Sequence, residues 1–252
     1  MENKEKVERL ATWIEASDYI VFFGGAGTST ESGIPDFRSA AGLYQTEQHS
    51  PYPPEELLSY TFFMEHPEVF FDFYRSKMLH PQAKPNGCHN LLARLEQEGK
   101  LKAVITQNID GLHQTAGSTE VFELHGSIYR NYCMDCSRFY SLQEIMAIQE
   151  IVPRCLDCNG IIKPDVVLYE EELDQQVLTR SVQEISTADL LIIGGTSLTV
   201  HPAAELVTFF HGSKVALLNA DPTPYDHRAG LLIADRIGKI MTEVTNLLHP
   251  NL

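Results

Sequence analysis

Residues 19–30, YIVFFGGAGTST, couple a short apolar run to a glycine turn, a combination that few folds accommodate. The run from Tyr19 to Phe23 is β-branched and aromatic and too short for a helix, so it reads as a strand buried on both faces. Gly24, Gly25, Ala26 and Gly27 follow at once. A turn without Cβ atoms lets the backbone approach a ligand closely. Thr28, Ser29 and Thr30 then offer hydroxyls and N–H groups at an expected helix start, where free amides and the helix dipole favour a diphosphate. Strand, glycine turn and helix start compose the first unit of a dinucleotide fold, although Thr30 stands where the third glycine of GxGxxG belongs. Beyond it, Pro35 breaks the helix and pushes Ile34 towards an extended conformation. The loop Gly33-Ile34-Pro35-Asp36-Phe37-Arg38 therefore sets a carboxylate, an aromatic ring and a guanidinium beside the expected phosphates.

The remaining apolar runs repeat this logic. Lys102 to Thr106, Val121 to Leu124, Val166 to Tyr169, Leu190 to Ile193 and Val215 to Leu218 read as strands. They alternate with helical segments such as Asp174–Ile185 and Ala203–Phe210, which predicts a mostly parallel sheet in an α/β fold. Polar residues stand at the strand ends, where open α/β sheets hold their ligands: Gln107, Asn108 and Asp110 after the second strand, Gly195, Thr196 and Ser197 after Gly194, and Asn219 after Leu218. His125 sits at another strand end, beside Gly126, and a histidine there suits general base work. Val7, Leu10, Ala11 and Ile14 give an amphipathic first helix. Between residues 40 and 85, Pro51, Pro53 and Pro54 precede aromatic-rich helices, read as an insertion over the nucleotide site that acts as a lid.

Four cysteines form two CxxC pairs, Cys133 with Cys136 and Cys155 with Cys158, separated by eighteen residues. This spacing fits a tetrahedral Cys₄ zinc site. Four thiolates leave Zn²⁺ no open position for water, so the ion is expected to hold the fold. Redox pairs are the other reading, which two pairs at ribbon spacing disfavour. Cys88 stands apart and reads as a buried free thiol. The formal net charge of −15, from 34 acidic and 19 basic residues, argues against a nucleic-acid partner. The charged start MENKEKVERL has no signal-like apolar core, and no apolar run approaches the roughly 18 residues that a membrane span needs. A cytoplasmic chain without membrane partners is expected.

The motifs GAGTSTESGIPDFRS at 25–39, TQNIDGLH at 106–113, ELHG at 123–126, KPDVVLYEE at 163–171, GTSLTVHPAAEL at 195–206 and LLNADPTP at 217–224, with the four cysteines, resemble the sirtuins, NAD-dependent protein-lysine deacylases. The resemblance implies a Rossmann-like domain from residues 1–39, 86–127 and 164–252. It also implies a smaller domain made of a helical module, 40–85, and a zinc-ribbon module, 128–163. By motif position, Gly25, Ala26, Gly27, Thr30, Phe37, Arg38, Gln107, Asn108, Ile109, Asp110, His125, Gly195, Thr196, Ser197, Asn219 and Ile237 would serve NAD. Val167 and Tyr169 would flank the acyl-lysine peptide, which would enter as an extra strand held mainly by main-chain hydrogen bonds.

The implied chemistry begins with the acyl oxygen attacking C1′ of the nicotinamide ribose as nicotinamide leaves. Asn108 and Asp110 would hold ribose and nicotinamide, Phe37 would shield the reacting carbon, and His125 would deprotonate a ribose hydroxyl. Free lysine, nicotinamide and O-acyl-ADP-ribose would result. Two departures stand out. Tyr169-Glu170-Glu171 occurs where many relatives carry Phe-Gly-Glu, and Lys77 follows Tyr74 where desuccinylating members carry arginine. Lysine lacks the bidentate fork that grips a carboxylate, so deacetylation is favoured. Mono-ADP-ribosyl transfer shares every motif and is the rival reading.

Overall fold

The computed structural model describes residues 3–36, 42 and 52–250 of the chain. Its strands are β1 (Ile20–Gly24), β2 (Leu101–Thr106), β3 (Val121–Glu123), β4 (Gly126–Cys133), β5 (Phe139–Ser141), β6 (Ile162–Val166), β7 (Leu190–Gly194), β8 (Lys214–Leu218) and β9 (Leu231–Ile233). The α-helices are α1 (Asn3–Glu15), α2 (Pro54–Leu57), α3 (Tyr60–Glu65), α4 (Pro67–Phe73), α5 (Gly87–Gln97), α6 (Leu112–Ala116), α7 (Leu142–Ala147), α8 (Gln175–Thr187) and α9 (Ile237–Leu248).

Six strands form a wholly parallel sheet in the order β3-β2-β1-β7-β8-β9. Alternation along β1 explains why helices cover both faces. Ile20 and Phe22 pack with Leu10 and Ile14 of α1, Leu91 and Leu95 of α5, and Met241 and Val244 of α9. Val21 and Phe23 point the other way, into a cluster with Ile185 of α8, Ala203 and Leu206. Each of these side chains contributes on the order of 1.5–3 kcal/mol through burial, so a one-residue slip of β1 would exchange the two sets. The order reverses between β1 and β7, because the chain builds outward from β1 through β2 and β3 and then restarts at β7. That reversal is the crevice where such sheets take ligands.

The second sheet, β5-β4-β6, is antiparallel. Beside it an aromatic cluster of Phe62, Phe63, Phe70, Phe71 and Tyr74 packs on Ile128, Leu142, Val166 and Leu168. Helix starts carry their caps. Asp174 accepts from the Gln176 and Val177 N–H groups, and Ser141 with Glu144 and Asn86 with His89 form capping boxes.

Four local expectations shift. The first strand is Ile20–Gly24, one residue later than its apolar run. The helix start expected at Thr28–Thr30 is instead two 3₁₀ turns, Ala26–Thr28 and Thr30–Ser32. Thr28 and Thr30 hydroxyls donate back to the Gly25 and Gly27 carbonyls, and Gly33 closes the second turn at φ +84°. The strand expected at Val166–Tyr169 runs instead from Ile162 to Val166, because Tyr169 leaves the sheet to bond Leu58 and Tyr60. Ala203–Phe209 is a 3₁₀ helix in which the Thr208 hydroxyl bonds the Glu205 carbonyl three residues back. Among the described residues, no helix is long and apolar enough to cross a membrane.

Candidate active site

The two glycine turns meet at the carboxyl ends of β1 and β7. The Gly27 N–H donates to the Gly195 carbonyl at 2.7 Å. A Cβ on Gly27 would lie 2.7 Å from the Gly195 Cα, and one on Gly195 would lie 2.3 Å from the Thr28 nitrogen. Gly195 also holds φ +59°. Both glycines are therefore required by the contact between the loops themselves, a reason that precedes any ligand.

Polar side chains interlock around that contact. Asn108 Nδ2 donates to Thr28 Oγ1 at 2.8 Å and to Ser29 Oγ at 3.1 Å. Ser29 Oγ donates in turn to Asp110 Oδ2 at 2.6 Å, and Asp110 Oδ1 accepts the Leu112 N–H at 2.9 Å. Gln107 Nε2 donates to Thr196 Oγ1 at 3.0 Å. Asn86, from the start of α5, donates to the Thr28 carbonyl at 2.8 Å and to Ser32 Oγ at 2.9 Å. Asn86 thus joins the site unforeseen, while Thr28 and Ser29, expected to offer hydroxyls to a diphosphate, hold the Asn108 and Asp110 side chains. The Asn86-x-x-His89 capping pattern was the available signal.

His125 follows β3. Its Nδ1 lies 3.0 Å from the Gln107 carbonyl oxygen. A carbonyl only accepts, so Nδ1 carries the proton and Nε2 presents a lone pair. Burial lowers the His125 pKa against the opposing pull of that hydrogen bond, which keeps the ring a neutral base at pH 7. The His125 carbonyl accepts the Val167 N–H at 3.0 Å, fastening the segment that follows β6 to the histidine. Arg130 on β4 bonds Glu123 and Asp165, each at 2.7 Å, and so ties β3 to β6 on either side of His125.

The other expected positions distribute as follows. Ile109 is half-buried, and its carbonyl accepts the Ile128 N–H at 3.1 Å. Ala26 and Ser197 are half-buried at the two turns, while Thr30 is exposed. Asn219, after β8, donates to the Asp221 carbonyl at 2.7 Å. Ile237 is buried in the core, with Cδ1 against Gly194. Tyr169 is exposed beside α3. Phe37 and Arg38 lie outside the described residues.

The cysteine sulfurs of Cys133, Cys136, Cys155 and Cys158 lie within 4.8 Å of one another. Cys133 to Cys158 is 3.4 Å and Cys136 to Cys155 is 3.6 Å, with no disulfide among them. Zn–S bonds of about 2.3 Å in a tetrahedron put sulfurs about 3.8 Å apart, so the donor set fits a closed zinc site. Cys88 is a fully buried free thiol, raised by that burial above its ordinary pKa.

Behind Asp110, His89 of α5 and His113 of α6 are buried with ring centroids 4.7 Å apart. His89 Nδ1 accepts the Asn86 N–H at 3.2 Å, while His89 Nε2 and both His113 nitrogens have no protein partner among the described residues. Desolvation lowers His89 to about 4, against the attraction of Asp110, and lowers His113 well below its ordinary value. Both are therefore neutral in the folded state and take up protons on unfolding below pH ~6.5. Stability present above that pH is lost as the pH falls towards the folded values, by about 2 kcal/mol at pH 5 for His89, with His113 acting in the same direction. Urea midpoints at pH 7 and 5, with NMR titration of the two rings, check this; rings titrating near 6.5 in the folded protein would contradict it.

Comparison with known proteins agrees with this geometry. Residues 25–202 match the Sir2 family. A protein of Clostridium acetobutylicum named NAD-dependent protein deacetylase is 55% identical over 240 residues, covering 95% of this chain and 98% of that relative. A solved Sir2 structure with deacetylated peptide and 3′-O-acetyl ADP-ribose superposes with a TM-score of 0.87 at 38% identity, covering 96% of this chain and 98% of the other. Another, of Sir2 with a peptide and NAD⁺, gives a TM-score of 0.84 at 39% identity, covering 96% and 98%. With the family match spanning most of the chain and the relative aligned nearly end to end, this chain belongs to the Sir2 family.

Proposed function

We propose that this protein is an NAD-dependent protein-lysine deacetylase that returns free lysine, nicotinamide and O-acetyl-ADP-ribose. The observation that carries the reading is His125, fixed as a neutral base by the Gln107 carbonyl beside the Asn108–Asp110 cluster. Polar groups from the ends of β1, β2 and β7 converge at the topological switch point, which is the donor set and place that a dinucleotide requires. When bound, NAD supplies a ribose carbon from which nicotinamide departs as the acyl oxygen arrives.

The chain's own residues position and exclude. Gly25, Ala26, Gly27 and Thr30 with Gly195, Thr196 and Ser197 would hold the phosphates, Asn219 and Ile237 the adenosine end, and Gln107, Asn108, Ile109 and Asp110 the nicotinamide ribose. Ser29 and Thr28 fix the Asp110 and Asn108 side chains before any ligand arrives, so little reorganisation remains for the reaction. His125 Nε2 would take the proton of a ribose hydroxyl. Val167 and Tyr169 would flank an acyl-lysine peptide, with Phe37 and Arg38 closing the cofactor side.

The larger sheet would form the NAD-binding domain, from residues 1–39, 86–127 and 164–252, with 40–85 and 128–163 as the smaller domain. A cytoplasmic location without nucleic-acid or membrane partners suits the net charge of −15 and the thiol ligands. Nicotinamide release is the first test. It is expected only when NAD and an acetyl-lysine peptide are both present; equal release with the unacetylated peptide would count against a deacetylase.

A further inference from the structure

Four residues other than glycine hold a left-handed backbone among those described: Ser137, Asn159, Glu170 and Leu198. Ser137 and Asn159 each follow the second cysteine of a CxxC pair and belong to the metal knuckles. Glu170 directly follows Tyr169, which with Val167 would flank the acyl-lysine peptide, and Leu198 directly follows the Gly195–Ser197 turn. Leu198 is buried, with its N–H bonded to Thr196 Oγ1 at 3.2 Å, and its loop is held by that packing. Glu170 is exposed at φ +77°, so burial does not hold it there. Side chains enter this region at a cost, and such strain collects at ligand clamps only where other contacts fix it.

Those contacts are specific. Glu170 Oε2 accepts from Thr61 Oγ1 at 2.7 Å and from the Thr61 N–H at 2.9 Å, across 109 residues of sequence. The two bonds hold the carboxyl below the usual carboxylate range. Immediately before it, the Tyr169 N–H donates to the Leu58 carbonyl at 2.9 Å, and the Tyr169 carbonyl accepts the Tyr60 N–H at 3.0 Å. Two residues earlier still, the Val167 N–H is bonded to the carbonyl of His125. The segment 167–170 is therefore stretched between the catalytic histidine and the start of α3, with Glu170 as its outer anchor.

We propose that the Glu170–Thr61 contact is a latch that sets the position of the acyl-peptide edge relative to His125, making Glu170 a positioning residue for peptide binding. The proposal rests on the deacetylase reading. A peptide added by main-chain hydrogen bonds needs the receiving backbone at a fixed height and register, and an edge free to drift loses that registration. The carboxylate also offsets the left-handed backbone that it terminates, so a glycine here relieves strain and removes the latch together.

The test compares wild type with E170G, E170A, E170Q and T61V by fluorescence anisotropy of a labelled acetyl-lysine peptide and by steady-state kinetics in both substrates. E170G keeps the backbone accessible and so guards against misfolding as the explanation. Peptide Kd and KM are expected to rise about 5- to 20-fold in E170G and E170A, on losing both exposed charge-assisted hydrogen bonds to Thr61. E170Q and T61V, which retain part of the contact, should fall between them and wild type, while KM for NAD stays within about twofold. Peptide affinity within twofold of wild type in E170G overturns the latch. A parallel rise in both KM values, with a lowered thermal midpoint, also overturns it in favour of simple structural support. Wild type that binds the peptide without turning it over would sink the deacetylase reading, and the anisotropy series would still judge the latch.

Discussion

Replacing His125 by alanine is expected to lower turnover by about 10²–10⁴-fold, the usual worth of a positioned general base. Among the described residues the ring makes one hydrogen bond, to the Gln107 carbonyl, so losing that bond costs the fold about 1 kcal/mol and leaves the interlocked Asn108, Ser29 and Asp110 side chains in place. NAD affinity and thermal midpoint should therefore change little while product formation collapses. Wild-type kcat/KM should fall on the acid side with a midpoint below 6.5, because burial lowers the His125 pKa and only the neutral ring accepts a proton. A histidine with a purely structural role would behave differently, reducing stability and NAD binding together. Turnover within a few-fold of wild type in the alanine variant would remove His125 from the mechanism.

Loss of the metal is the second large effect. Apparent binding free energies of structural zinc sites are about 10–16 kcal/mol, comparable to or larger than the whole stability of a domain, about 5–15 kcal/mol. Cys133 and Cys155 belong to a small cluster with Tyr140, Ile145 and Ile162, and the Tyr140 hydroxyl donates to Cys155 Sγ at 3.2 Å. So small a cluster holds the two CxxC turns weakly once the metal that cross-links them is gone. Chelation is expected to unfold this region, lower the thermal midpoint and reduce activity in proportion to the folded fraction, with recovery on adding Zn²⁺. Full activity with an unaltered melting profile after verified zinc removal would contradict a structural ion.

Legibility in the sequence followed the range of the interactions. The parallel sheet could be read because β1, β2, β7 and β8 are short apolar runs that end in polar or glycine-rich turns. The cysteine cluster could be read because its ligand spacing is itself the chemical constraint. The helix start after Gly27 misled, since Thr28 and Thr30 bond their own turn and convert it into 3₁₀ geometry. The His89–His113 pair and the Glu170–Thr61 contact were hidden for another reason: each joins residues whose separation in sequence carries no periodic signal. The glycines at 27 and 195 stand out as turn residues, but the contact between their two loops emerges only when β1 and β7 are placed side by side.

Acyl transfer from lysine to ADP-ribose can be read by mass spectrometry of one reaction containing the protein, NAD and an acetyl-lysine peptide. A peptide lighter by one acetyl group is expected, together with equimolar nicotinamide and O-acetyl-ADP-ribose. An unchanged acetyl peptide alongside ADP-ribosylated protein would contradict it and establish mono-ADP-ribosyl transfer instead.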